Sequence, residues 1–126
     1  MRDVHEYILI FSKGDYKREK ESKENSTNKE QFIEWTKSIW TMNAESARRI
    51  GHQAPFPEEL PFRLMQLYSF KDDIILDPFM GSGTTALSAV KSKRKFVGYD
   101  INKEYVSLAK KRLDTYISQT KLAFPE

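Results

Sequence analysis

This sequence predicts an α/β fold with a mostly parallel sheet flanked by helices. Three observations predict it. HEYILIFS (5–12), DIILDPF (73–79) and KFVGYDI (95–101) carry apolar residues on consecutive positions, as strands covered on both faces do. A glycine-containing turn and a helical pattern separate the last two runs, the kind of connection parallel neighbours require. The order strand, helices, strand, helix, strand, helix then implies right-handed crossovers.

Each element has a local reason. The first run is rich in Ile, Tyr and Phe, which favour a pleated, buried surface. Residues 13–29 hold almost no apolar side chains and cannot offset their chain entropy by burial, so they read as a solvated loop. Its Lys13, Lys17, Arg18, Lys20 and Lys23 also suit an arm along a phosphate backbone, but Asp15, Glu19, Glu21 and Glu24 are interleaved with them. Thr27 through Glu30 has the form of a capping box and opens a helix over about 28–40, with Phe32, Ile33, Thr36, Ile39 and Trp40 inward. Pro57, Glu58 and Glu59 start another helix, with Leu60, Leu64 and Leu67 on one face and Pro61 setting where its regular part begins. A helix over about 83–92 follows the glycine turn. Asn102 caps the last helix, whose Val106, Ala109, Leu113 and Tyr116 share a stripe.

Composition narrows the function classes. With 126 residues the sequence accounts for one small domain, and 39% hydrophobic and 31% charged residues suit a limited core in a water-exposed setting. Cysteine is absent, which excludes disulfides and thiolate metal sites, and His5 and His52 form no ligand pattern. No apolar run approaches the roughly 20 residues of a membrane span, and the first residues lack a signal-peptide pattern, so a cytoplasmic location is expected. The net charge of +3 is compatible with nucleic acid and equally with an ordinary lysine-rich surface.

The turn is the most informative stretch. Gly81-Ser82-Gly83-Thr84-Thr85-Ala86 fits G-x-G-x-x-G/A between a strand and a helix, and Asp100 ends the next strand. Glycine permits the tight turn and lets a ligand approach the backbone, and the following helix aims its first N–H groups at that ligand. At its strand end, Asp100 can accept hydrogen bonds from two ribose hydroxyls. A bare glycine turn serves packing as readily as binding; the strand on each side and the terminal acid favour binding. No Lys-Ser or Lys-Thr follows at Walker spacing, which argues against a triphosphate. A dinucleotide and S-adenosylmethionine remain. Asp77 would repel a pyrophosphate and attract a sulfonium and an ammonium, which favours the second.

DPFMGSGTT (77–85) closely resembles the S-adenosylmethionine signature of the DNA amino-methyltransferases, which methylate cytosine N4 or adenine N6. HQAPFPEELPFRL (52–64) looks like the block preceding that signature in the β group, and VGYDINKEYVSLAKKRL (97–113) like the block following it. HEYILIFSKG (5–14) resembles the strand that ends the catalytic region, and EWTKSIW (34–40) is similar to stretches in the same group. The likeness covers nearly the whole chain apart from about 15–29.

This resemblance implies a partial, Rossmann-like fold of the S-adenosylmethionine-dependent methyltransferases. It implies that 1–14 holds a strand from the end of the catalytic region, 15–50 a reduced target-recognition region, and 51–126 the cofactor-binding subdomain. Asp77, Pro78, Phe79, Gly81, Ser82 and Gly83 would line the cofactor path, Thr84 and Thr85 would offer hydroxyls and N–H groups to its carboxylate, and Asp100 with Ile101 would hold the ribose end. His52, Ala54 and Phe56 would close over the methionine end, although Phe56 between two prolines also suits plain packing and His52 a hydrogen-bonded loop. Double-stranded DNA is the implied substrate, in a restriction–modification setting, with cytosine N4 preferred slightly over adenine N6.

The family's Pro-Pro-aromatic catalytic segment has no counterpart among these residues, where no Pro-Pro occurs. In the β group it lies upstream of the strand matched by HEYILIF. The sequence is therefore expected to supply the cofactor part of an enzyme and to be inactive by itself, as a split subunit, a truncated product or a non-catalytic scaffold. A second polypeptide carrying that segment, or self-association, is the expected partner, because a sheet of about three strands leaves apolar surface to cover. An NAD-linked oxidoreductase fragment is the remaining alternative, which Asp77 disfavours. No residue is assigned as catalytic, and no metal is expected.

Overall fold

A computed structural model of the chain describes residues 5–15, 19, 23–45 and 56–123, with 121–123 described by backbone alone. Its elements are α1 (Lys29–Trp35), α2 (Glu59–Tyr68), β1 (Ile74–Asp77), α3 (Thr84–Lys91), β2 (Lys95–Gly98) and α4 (Lys103–Ala123). β1 and β2 are parallel, with Ile74 beside Lys95 and Asp77 beside Gly98. The mixed α/β order and the parallel pairing are as expected.

The core lies on one face of this pair. α3 packs against both strands, α2 and α4. Ala86 and Leu87 of α3 meet Leu113 of α4, with Met80, Val90, Phe96 and Tyr116 around them. Small residues allow the close approach: Ala89 and Ala109 are fully buried. The opposite face of the pair carries Ile74, Leu76, Val97 and Tyr99, all exposed.

Three expectations are corrected. Residues 5–12 form no ladder, so among the described residues the sheet has two strands instead of three. Within the segment, His5 and Tyr7 stack edge-to-face at 5.4 Å. Its Tyr7, Leu9 and Phe11 are exposed, because an apolar run encodes a wish for burial without specifying the surface that grants it.

The second correction concerns α1. Its capping box joins Asn28 and Gln31, one residue beyond the expected start, while Thr27 donates to the Gln66 carbonyl at 2.9 Å. The helix ends at Trp35, and Phe32, Ile33 and Ile39 are exposed. Trp35 is the inward contact, edge-to-face on Phe62 at 5.8 Å, and Trp40 donates to the Trp35 carbonyl at 3.0 Å.

The third concerns α2, in which the fully buried pair is Pro61 and Met65 at i, i+4, while Leu60, Leu64 and Leu67 are only partly covered. Pro61 occupies the first turn, where its missing N–H has no intrahelical acceptor to lose.

Arg94 anchors the end of the strands opposite the glycine turn. It is 4% exposed and donates to Ser92 O, Ser69 O, Ser69 Oγ and Ser26 Oγ. Burial pushes its guanidinium below the usual arginine value, and Asp73 and Asp72 act in the opposite direction. Lys23 pairs with Asp73 at 2.6 Å, so the stretch before α1 is tied to the same corner.

Candidate functional site

β1 and β2 end side by side, and the bend 78–83 rises from that edge. Asp77 Oδ1 accepts the Phe79 N–H at 3.0 Å, which turns the chain immediately after β1. Met80 N–H then donates to the Tyr99 carbonyl at 2.8 Å, and Gly81 N–H to Asp100 Oδ2 at 2.8 Å. Asp100 Oδ1 accepts the Asn102 N–H at 2.8 Å. Two carboxylates thus bracket one bend from the two strand ends.

The glycines are required here for two physical reasons. Gly81 and Gly83 have φ of 52° and 79°, a region costly for residues with a Cβ. A Cβ on Gly83 would also lie 2.7 Å from the Ala109 Cβ, so the bend and α4 touch through bare backbone. Gly83 is the N-cap of α3, and among the described residues no side chain caps that helix start. Its first N–H groups lie at the C-terminal edge of the strands, where an α/β sheet receives ligands.

The hydroxyls of the bend are placed differently from the glycines. Ser82 and Thr84 are 4% and 6% exposed. Arg112 Nη1 donates to Ser82 O at 2.7 Å, Ser82 Oγ at 3.1 Å and Thr84 Oγ1 at 3.2 Å. Both hydroxyls are therefore directed toward α4. Burial lowers the Arg112 pKa from its ordinary value, with Glu58 and Glu45 acting against that shift.

Of the site residues expected from sequence, Asp77, Pro78, Phe79, Gly81, Ser82, Gly83, Thr84, Thr85, Asp100 and Ile101 converge on this bend. Phe79 and Ile101 flank it as exposed side chains. Phe56 precedes α2 and is 40% exposed, while His52 and Ala54 lie outside the described residues. Arg112 was not among the expected residues. Its signal was its place beside the apolar stripe, three residues after Ala109 and next to Leu113. Two hollows of about 590 and 550 Å³ lie away from the bend, one along the outer side of α4 and one at the start of β1. Among the described residues no His/Asp/Glu group could hold a metal ion, and no helix is long and apolar enough to cross a membrane.

The family model described as DNA methylase matches residues 1–111. The chain belongs to the DNA methylase family. It is 34% identical over 122 residues to the Type II methyltransferase M.MthZI of Methanothermobacter thermautotrophicus, covering 87% of this chain and 34% of that protein. It is 40% identical over 101 residues to the Type II methyltransferase M.BglI of Bacillus subtilis, covering 79% and 29%. TTHA0409 from Thermus thermophilus, solved with S-adenosyl-L-methionine, superposes with a TM-score of 0.68 at 33% identity, over 81% of this chain and 40% of that one. The chain spans about a third of the length of the curated relatives it matches. As a family member it shares the methyltransferase α/β fold, and the bend 78–83 sits at the C-terminal edge of its parallel strands.

Proposed function

We propose that the bend between β1 and α3 binds S-adenosyl-L-methionine, and that this chain forms the cofactor-binding part of a site-specific DNA methyltransferase. The observation that carries the reading is the bracketed bend itself: Asp77 and Asp100 on either side of a glycine-capped helix start that no side chain among the described residues caps. These groups suit the ligand's chemistry. A zwitterionic amino acid and a sulfonium meet a carboxylate edge and a helix N-terminus, and a ribose meets Asp100. Pyrophosphate would meet Asp77, which argues against NAD.

When bound, S-adenosylmethionine supplies an electrophilic methyl group. The chain's own residues bind and orient: Asp77 holds positive charge near the strand edge, Asp100 fixes the bend and receives hydroxyls, and the Gly81–Gly83 backbone permits close approach. Orientation, rather than a covalent intermediate, then carries the rate enhancement. The acceptor is an exocyclic amine of a base flipped from double-stranded DNA, with cytosine N4 preferred over adenine N6. The amine-binding Pro-Pro-aromatic segment comes from outside these 126 residues, where no Pro-Pro occurs. A second polypeptide can supply it, as can further sequence of the same protein.

Calorimetric titration with S-adenosylhomocysteine and with NAD tests the cofactor; heat with NAD alone would end the reading. Mixing the chain with a polypeptide carrying a Pro-Pro-aromatic segment, then following tritium from labelled S-adenosylmethionine into DNA, tests the activity. Cofactor binding without transfer in any pairing would leave a non-catalytic scaffold.

A further inference from the structure

We infer that Arg112 is a positioning residue: it holds Ser82 and Thr84 from the α4 side and so keeps the start of α3 open as the seat for the cofactor's carboxylate. This rests on the proposed cofactor reading and adds the group that shapes the seat.

Serine and threonine beside a helix start ordinarily turn back and accept one of its first N–H groups. The chain shows that device in α1, where Asn28 Oδ1 accepts the Gln31 N–H at 2.8 Å. In α3 the N-cap is Gly83, which has no side chain to turn back, and Ser82 and Thr84 lie on either side of it. Both hydroxyls instead receive Arg112 Nη1, at 3.1 and 3.2 Å, with the Ser82 carbonyl at 2.7 Å. The guanidinium thereby engages both hydroxyls from the α4 side, and among the described residues no side chain accepts the first N–H groups of α3. Such a helix start prefers an anion, and the carboxylate is the only anionic group of S-adenosylmethionine.

α4 approaches the bend through two side chains one turn apart. Ala109 is fully buried at the point where a Cβ on Gly83 would collide with it, and Arg112 follows at i+3. Lysine would keep the charge but place it on one nitrogen without the planar fork of the guanidinium.

The test uses the full chain with Arg112→Met and Arg112→Lys. Each is titrated with S-adenosylhomocysteine and with 5′-methylthioadenosine, which lacks the amino-acid carboxylate, and each is melted by circular dichroism. Arg112→Met is expected to lose about tenfold in S-adenosylhomocysteine affinity, with 5′-methylthioadenosine unchanged. Arg112→Lys is expected to show the same selective loss at smaller size, and it serves as the readout if Arg112→Met does not fold. Equal losses for both ligands, or none, would overturn the inference while leaving the cofactor reading standing. A wild-type chain that binds no S-adenosylhomocysteine would overturn both.

Discussion

The Asp100 carboxylate accepts the Gly81 backbone N–H at 2.8 Å, binding the end of β2 to the bend that follows β1. Its second oxygen accepts the Asn102 N–H, also at 2.8 Å, at the entrance to α4. One side chain thus fixes the two chain reversals that form the proposed site. It has a structural role before any ribose arrives, and each carboxylate oxygen keeps a lone pair beyond the N–H it accepts.

Asp100→Ala leaves both N–H groups without this acceptor. The expected loss is about 1.5–3 kcal/mol in urea denaturation, the range for hydrogen bonds to a charged group. Asp100→Asn keeps one acceptor oxygen and is expected to lose about half as much. A midpoint unchanged in both variants would show that the bend is held by other contacts.

Gly83 and Gly98 separate two kinds of glycine requirement. Gly83→Ala places a Cβ at φ 79° and 2.7 Å from the Ala109 Cβ, with α4 backbone behind it at 3.1 Å. Backbone strain of about 1–2 kcal/mol adds to the overlap. A Cβ at Gly98 meets the Met80 side chain, closest to its Sδ and at 3.0 and 3.2 Å from its Cγ and Cβ, with no backbone among its near contacts, so a flexible side chain can turn aside. Gly83→Ala is expected to destabilise more than Gly98→Ala. Adding Ala109→Gly should recover only part of the Gly83→Ala loss, because the backbone strain remains. Thermal melts of the four proteins check the order.

The bend was legible in the sequence because its constraints are local. Glycine spacing, the preceding strand and the terminal acid all lie within 77–100, and each acts through backbone geometry. The expectation of a strand at 5–12 failed, since its apolar residues encode burial without a partner. The α2 face was misplaced by counting leucines. Leu60, Leu64 and Leu67 satisfy a helical period, but Pro61 and Met65 are the residues that meet the core. Arg94 and Arg112 were hidden for another reason. A lone arginine reads as solvent-facing until tertiary contacts give it carbonyls and hydroxyls to satisfy, as Ser69, Ser92 and Ser82 do here.

Ser88 lies fully buried in α3, and its hydroxyl has no hydrogen-bond partner among the described residues. Ser88→Ala removes that desolvated hydroxyl and improves helix propensity. The variant is expected to be more stable by about 0.5–1.5 kcal/mol. A destabilised variant in chemical denaturation would mean that the hydroxyl has a partner outside the described residues.

Asp77 can be tested for charge without disturbing geometry. Its Oδ1 accepts the Phe79 N–H at 3.0 Å, and an asparagine oxygen can do the same. Asp77→Asn therefore removes charge and keeps the turn. A sulfonium feels that loss and a neutral thioether does not, so affinity for S-adenosylmethionine is expected to fall about three- to tenfold relative to S-adenosylhomocysteine. Parallel titrations in low and high salt check it, because the difference should shrink as salt rises. An equal change for both ligands would place the sulfonium away from Asp77.

The uncovered sheet face has a physical consequence in solution. Ile74 and Leu76 are 67% and 62% exposed, and Val97 and Tyr99 continue the same face at 40% and 62%. Phe79 and Ile101 extend the apolar surface toward the bend. An apolar patch on open strands promotes association, since its removal from water is favourable and roughly proportional to area. The isolated chain is expected to self-associate at micromolar concentration in sedimentation velocity. Leu76→Lys with Ile74→Lys should shift it toward the monomer with little loss of stability, because both side chains are already largely in water. A wild-type chain that sediments as a monomer and unfolds cooperatively would show that residues outside those described cover this face within the same molecule.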